Sequence, residues 1–431
     1  MATRTRPSLQ EALHSCYPDE VLRELAKKAE VQRRTRTVTV TALFWTLLLG
    51  FGTGVKRSIA ELHREFQQAT GRSIVRSSFY DRFTPQLTAF LKMVVNWATS
   101  TYGEPTEKLQ GRLAGFRDVV VTDSTVLRLH DLLLGTYKAC RTNVGRAAAR
   151  LHLVMSVTGM GPRSVRITGE RSADCRNLKV GKWVANRLLL FDLGDFSFHL
   201  FDRIARNSGF FVTRAKSTIN PRIVAVNRRW RGRSRSLVGQ QLQDVLGKLQ
   251  RGVLDVMVEV EFKRRTYRGK QSSGVRVFRL VGILNQDTGE YHLYMTNIPA
   301  DRLDAEDISR VYRARWEVEL IFKELKSHYQ LDRLPSTKAH IVEALIYTAI
   351  LTLIVSRKML VALRRLQGVG ADRTPERRWT ITFHSCAARL LDLLLDPFAA
   401  PARWRRLEAF LTQEFLDPNR SRSRNLSVTW S

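Results

Sequence analysis

Val311-Tyr-Arg-Ala-Arg-Trp-Glu-Val-Glu-Leu-Ile-Phe-Lys-Glu-Leu-Lys326 reads as one amphipathic helix. At about 100° per residue, Tyr312, Arg315, Glu319 and Lys326 fall within an arc of about 60°. One polar face therefore presents a phenol, a guanidinium, a carboxylate and an ammonium together. Val311, Val318, Ile321, Phe322 and Leu325 cluster about 90° further round, as a core-facing stripe does. An ordinary surface face with i,i+4 ion pairs would also hold Arg315 and Glu319. The full spacing Tyr-x2-Arg-x3-Glu-x6-Lys is much rarer, with odds of chance occurrence on the order of two in a thousand.

That spacing resembles the Y-(2)-R-(3)-E-(6)-K pattern of the bacterial insertion-sequence transposases of family four, the YREK group of DDE transposases. The resemblance implies a ribonuclease-H-like core with a β-rich insertion before the glutamate helix, and makes Glu319 the third acid of a DDE triad. It also implies that Tyr312, Arg315 and Lys326 contact DNA phosphates beside the cleavage site. Two aspartates remain to be found upstream.

For the first, Val119-Val120-Val121-Thr122-Asp123-Ser124-Thr125 ends an apolar strand with a carboxylate and is similar to the family's h-h-D-S/T-T segment. Asp118 lies five residues earlier, on the opposite face by strand alternation. For the second, Leu190-Phe191-Asp192-Leu193-Gly194-Asp195-Phe196 again ends an apolar run with an acid and resembles the family's D-x-G-aromatic segment. The extra Asp195 departs from that pattern and is a rival to Asp192; Asp174 and Asp202 lie outside the strand. Three carboxylates suit two Mg2+ ions, held about 4 Å apart to activate the attacking oxygen and stabilise the leaving one. Asp123 would bridge both ions, with Asp192 and Glu319 each completing one; Mn2+ is the expected substitute. His152 sits in a neighbouring strand, as a site residue or as a core or edge histidine.

Working outward, the elements follow the order such a core requires. Strands are expected at Arg117 to Val126, Leu151 to Thr158 and Ser164 to Thr168, then a helix at Leu178 to Arg187, a strand at 188–192, a helix at Phe198 to Asn207 and a strand at 210–213. The succession β-β-β-α-β-α-β predicts a mixed sheet covered by helices. Leu254 to Phe262, Val275 to Ile283 and Tyr291 to Thr296 form the β-rich insertion. Long helices are expected at Asp304 to Tyr329 and Ile341 to Leu366. The domain division is then 1–110, a helical DNA-binding region; 111–217, the first part of the core; 218–298, the insertion; 299–366, the glutamate helix and its successor; and 367–431, a helical region with a basic tail.

Composition points to the same partner. The 431 residues carry 71 Lys+Arg against 40 Asp+Glu, a formal charge of +31, and 44% are hydrophobic. Disorder and a small disulfide scaffold are excluded, and a polyanion is the natural ligand. From Arg203 through Gln243 there is no acid, while Arg228, Arg229, Arg231, Arg233 and Arg235 flank Trp230. This stretch suits a phosphate backbone with Trp230 stacking on a base, or else a solvated loop. Near residue 71, a Gly turn between helices followed by Val75-Arg76-Ser77-Ser78-Phe79-Tyr80 is either a helix-turn-helix or a plain bundle pair. The scattered Cys16, Cys140, Cys175 and Cys386 fit a reduced compartment, and the repeated His-Ser-Cys at 14–16 and 384–386 is read as coincidence rather than a zinc site. The apolar stretches Val38 to Val55 and Ile341 to Leu360 are interrupted by threonine, glycine or charge and are expected to be buried helices.

The expectation is therefore a cytoplasmic, nucleoid-associated DDE transposase acting on double-stranded DNA at terminal inverted repeats and target, as a homodimer in the DNA complex, with no membrane association. The resemblance also implies hairpin formation at the transposon end, with a base flipped onto a tryptophan of the insertion. Two alternatives remain: a domesticated DNA-binding protein without catalysis, and a ribonuclease-H-like nuclease that never joins strands.

Overall fold

Val119-Val120-Val121 is β-branched and buried, which places its strand inside a sheet rather than at an edge. The computed structural model describes residues 8–31, 38–53, 58–140, 145–159, 161–172, 177–228, 236–249, 251–264, 269, 271–370, 373–396 and 398–417. Within them this strand, β1 (Asp118–Leu129), is flanked on one side by β2 (Ala147–Ser156) and then β3 (Pro162–Gly169), both antiparallel to their neighbours. On the other side β4 (Arg187–Phe191) and β5 (Phe210–Arg214) run parallel. Four more strands follow: β6 (Arg222–Val226), β7 (Val253–Lys263), β8 (Ser273–Leu284) and β9 (Tyr291–Thr296). The order across is β3-β2-β1-β4-β5-β9-β8-β7-β6. Because β9 pairs antiparallel with β5, the block expected as an insertion extends the central sheet as four further strands. The protein is thus an α/β fold around one nine-stranded mixed sheet.

Strand alternation divides the core between the two faces of the sheet. Val119, Val121, Leu188, Leu190 and Val212 face one cluster, while Val120, Leu189, Phe191 and Phe211 face the other. The first face is covered by helices from both ends of the chain. From the N-terminal side these are α1 (Leu9–His14), α2 (Asp19–Lys28), α3 (Val40–Thr46) with the π-turn that follows it, α4 (Ile59–Thr70), α5 (Arg76–Tyr80) and α6 (Pro85–Tyr102). On the second face lies α7 (Phe198–Arg206), whose Phe201 stacks on Phe211 at 4.4 Å, followed by the short α8 (Leu242–Leu246). The remaining helices are α9 (Ala305–Arg313), α10 (Trp316–Ser327), α11 (Ala339–Gln367), α12 (Glu376–Leu395) and α13 (Pro401–Glu414). By length and composition α11 could cross a membrane, but most of its apolar window is buried inside the fold, where α1 and α6 pack on it.

Three expectations need correction. The helix expected over 304–329 is two helices. At the joint, Arg315 N–H donates to the Tyr312 carbonyl, Glu317 to Ala314 and Val318 to Arg315, each three residues back, so the i→i−4 ladder is interrupted. Leu178 to Arg187 is not a helix: only Lys182–Val184 makes a 3-10 turn, Asn186 takes a left-handed conformation at φ 55°, and Arg187 already belongs to β4. Finally, β6 was hidden in the basic run, whose charge obscured the Ile-Val-Ala-Val core of the strand.

Candidate active site

The register of β1 and β4 places the first two acids. Thr122 is paired with Phe191 on the adjacent parallel strand, so Asp123, which continues in β1 opposite Leu153 of β2, and Asp192, the residue just past the end of β4, lie side by side. The third acid comes from α10, which packs on β1. Val318 and Leu325 are fully buried and Phe322 nearly so, as the apolar stripe requires, while Ile321 is only half-buried. This seating turns Glu319 toward β1. One guanidinium nitrogen, Arg315 Nη1, lies 2.6 Å from Glu319 Oε1 and 3.9 Å from Asp123 Oδ2. The two carboxylates can be no further apart than those distances laid end to end.

The electrostatics show the same convergence. Burial pushes the Asp123 carboxyl up to about 6; a backbone hydrogen bond from Ser124 N–H and the charge of Arg315 oppose the rise, and the charges of Asp192 and Glu319 add to it. Burial works against the charge on Arg315, yet the hydrogen bond to Glu319 and the fields of Tyr312, Asp192 and Glu319 outweigh it, so its pKa is raised. Tyr312 is buried at the end of α9, its ring 5.3 Å from that of Tyr294, and burial lifts its phenol to about 12. The Arg315 guanidinium lies 5.7 Å from the rings of both Tyr312 and Trp316. Lys326 is drawn down by burial, with Asp332 opposing. Asp123, Thr125, Glu319, Lys326 and Asp332 line an open cleft of about 560 Å³.

The other sequence-predicted residues are placed as follows. Asp118 is fully buried, accepts a hydrogen bond from Ser156 Oγ at 2.8 Å and lies 3.8 Å from Arg187, away from the cleft. Asp195 is also buried; with Asp123, His152, Arg166 and Asn177 it lines a narrow crevice on the other side of β1. His152 bonds Thr168 Oγ1 at 2.8 Å there. Asp202 is tied to Arg206 and Arg276. Arg228 is an exposed ion-pair partner of Glu306 at the start of α9. Arg229, Trp230, Arg231 and Asp174 lie outside the described residues. The candidate recognition helix α5 has five residues and buries Phe79 between Phe66 and Phe83. His14 packs on Trp404 and His384 on Tyr329.

Among the described residues, no three His, Cys, Asp or Glu side chains stand close enough together to hold a metal ion as they are. The donor set nonetheless suits a hard divalent cation, being carboxylate oxygens that are crowded, partly buried and in need of positive charge. Asp332 in the cleft was missed by sequence reasoning. It follows the motif in an unremarked Gln-Leu-Asp-Arg-Leu run, and only the turn after α10 brings it back.

The transposase DDE domain family matches residues 114–355, more than half of the chain and a span within which Asp123, Asp192 and Glu319 fall. The chain belongs to the DDE transposase family. Similar proteins include the transposase for insertion sequence element IS231B of Bacillus thuringiensis subsp. berliner, 20% identical over 389 residues, which are 80% of this chain and 78% of that protein. The transposase for IS231F of Bacillus thuringiensis subsp. israelensis is 21% identical over 408 residues, 83% of this chain and 80% of its own. Putative transposase InsL for IS186A of Escherichia coli K12 reaches 34%, over only 80 residues, 19% of this chain and 22% of its own. The protein is accordingly a transposase of an insertion sequence element, and its family generally works with a divalent metal.

Proposed function

We propose that this transposase cuts the terminal inverted repeats of its element and joins the freed 3′-hydroxyls to target DNA by metal-assisted phosphoryl transfer at Asp123, Asp192 and Glu319. The observation that carries the reading is the meeting of an acid on the central strand β1 and a helix glutamate on one nitrogen, with Asp192 beside the first acid by strand register. The order β3-β2-β1-β4-β5, with β2 and β3 antiparallel and β4 and β5 parallel, supports a ribonuclease-H-like core. Mg2+ bound by the three acids would activate water or the 3′-hydroxyl and stabilise the leaving oxygen. The chain's own groups orient the DNA: Arg315 and Lys326 neutralise the phosphate under attack, and Tyr312 hydrogen-bonds it or packs on the sugar. Arg228, Arg229 and Arg231 grip the backbone around Trp230, which stacks on a flipped base. Residues 1–110 contribute further DNA contacts, and a homodimer assembles on DNA at the nucleoid.

E319A separates this reading from a non-catalytic DNA-binding role. Mg2+-dependent cleavage of labelled end DNA is expected to vanish while gel-shift binding of that DNA stays within a few-fold of wild type. Cleavage that persists in E319A overturns the assignment. Appearance of labelled ends covalently joined in a target plasmid distinguishes the transposase from a nuclease that only cuts.

A further inference from the structure

We infer that Arg315 is a cation placeholder: its guanidinium and a divalent ion contend for the same oxygens of Asp123 and Glu319, so the acids take metal only as Arg315 transfers to a DNA phosphate. The inference rests on the phosphoryl-transfer reading and adds to it an order of assembly.

Arg315 is 8% exposed, and its Nη1 faces two of the three acids at 2.6 and 3.9 Å while feeling the charge of Asp192. Among the described residues its Nε is buried without a hydrogen-bond partner, so the guanidinium is held by the close ion pair with Glu319, the longer one with Asp123 and a hydrogen bond with Tyr312. Three carboxylates gathered with reduced access to water repel one another strongly, and one fixed positive charge among them relieves that repulsion. A metal ion shared by Asp123 and Glu319 relieves it in the same way and requires the same oxygens. Both cations cannot use Glu319 Oε1 fully at once.

The local structure suits a side chain that changes partner. Arg315 sits at the joint of α9 and α10, where its backbone is pinned by bonds to Tyr312 and Val318, so movement falls to the side chain. The rings of Tyr312 and Trp316 flank the guanidinium at 5.7 Å and offer it an aromatic surface as it leaves the acids. A guanidinium binds phosphate through two parallel hydrogen bonds, so DNA is a competent receiver. Lys326 does not share the role, because the acid it answers to in the cleft is Asp332. If DNA removes Arg315 from the acids, DNA and metal must each strengthen the binding of the other by the same factor.

The test is Mn2+ binding to the full chain, read from loss of the free-ion electron paramagnetic resonance signal. R315Q without DNA is expected to bind Mn2+ about tenfold more tightly than wild type. Wild type should gain affinity when a non-cleavable end duplex is added, and R315Q should gain much less. Equal or weaker Mn2+ binding by R315Q overturns the placeholder role. D123N separates the two levels of argument: if it leaves Mn2+ binding unchanged, the triad itself is wrong. Should R315Q fail to fold alone, Mn2+ must restore its folding, since the ion replaces the lost charge; failure to do so also overturns the inference.

Discussion

Arg279 on β8 and Asp255 on β7 meet through two parallel hydrogen bonds of 2.9 and 2.6 Å, both side chains almost fully buried. The same guanidinium donates to the carbonyls of Ile298 and Leu303, on the segment that leads into α9. The sheet extension and the entry to the glutamate-bearing helices are thereby joined at one charge. Replacing Arg279 by Met should cost about 3–5 kcal/mol, because Asp255 is left as a buried anion. Urea unfolding measures this, and the double variant D255L/R279M should be more stable than R279M alone.

Asp118 gives a pH-dependent prediction. Burial raises its carboxyl to about 6 from an ordinary 3.8, against the hydrogen bond from Ser156 and the charge of Arg187. The folded state therefore holds this proton more tightly than the unfolded chain does, and that contribution to stability is lost as pH rises from about 4 to about 6. D118N has no such loss. Relative to wild type it should gain roughly 2–3 kcal/mol between pH 4 and pH 7. Thermal melts across that range decide the matter; a constant gap at every pH contradicts it.

Beneath α10, Arg357 of α11 pairs with Glu324 at 2.5 Å and also with Glu376 of α12, while Thr380 donates to Glu324 at 2.9 Å. This network fixes the pitch of the helix that carries Glu319. R357A should lower stability by about 3 kcal/mol, chiefly by stranding the buried Glu324 carboxylate, since Glu376 is more than half exposed. Cleavage should fall more than end-DNA binding, which parallel cleavage and gel-shift assays would show.

Gly52 packs directly against α11. A Cβ there would lie 1.9 Å from Thr352 Oγ1 and 2.6 Å from the Leu48 carbonyl oxygen. G52A should destabilise by about 1–3 kcal/mol through overpacking. Adding T352A should recover only part of the loss, because the backbone clash remains; chemical denaturation of the three variants reads this directly.

Local signals carried most of the architecture. The Val-rich run of β1, the all-apolar Leu188-Leu189-Leu190-Phe191 and the 3.6-residue stripe of Val318, Phe322 and Leu325 each declare their element from composition and period alone. The joint at Ala314 was not legible, since Ala, Arg and Trp are all acceptable in a helix and only tertiary packing breaks the ladder there. Arg315 and Glu319 still meet, because Ala314 and Arg315 keep right-handed helical backbone angles through the joint. The partner of β5 was equally hidden: strand pairing with β9, more than seventy residues on, leaves no mark in either segment. Asp332 and the burial of Asp118 and Asp195 are likewise products of the assembled fold.

The packing of α1 and α6 on α11 also bears on how the molecule comes into being. Leu9, Phe90 and Leu91 lose their apolar exposure in a core shared with Ile346 and Ile350. At a ribosomal pace of about 5–20 residues per second, roughly half a minute separates the emergence of these partners. A growing polypeptide must carry sticky surface for that time, so nascent-chain chaperones are the natural guardians of its early helices.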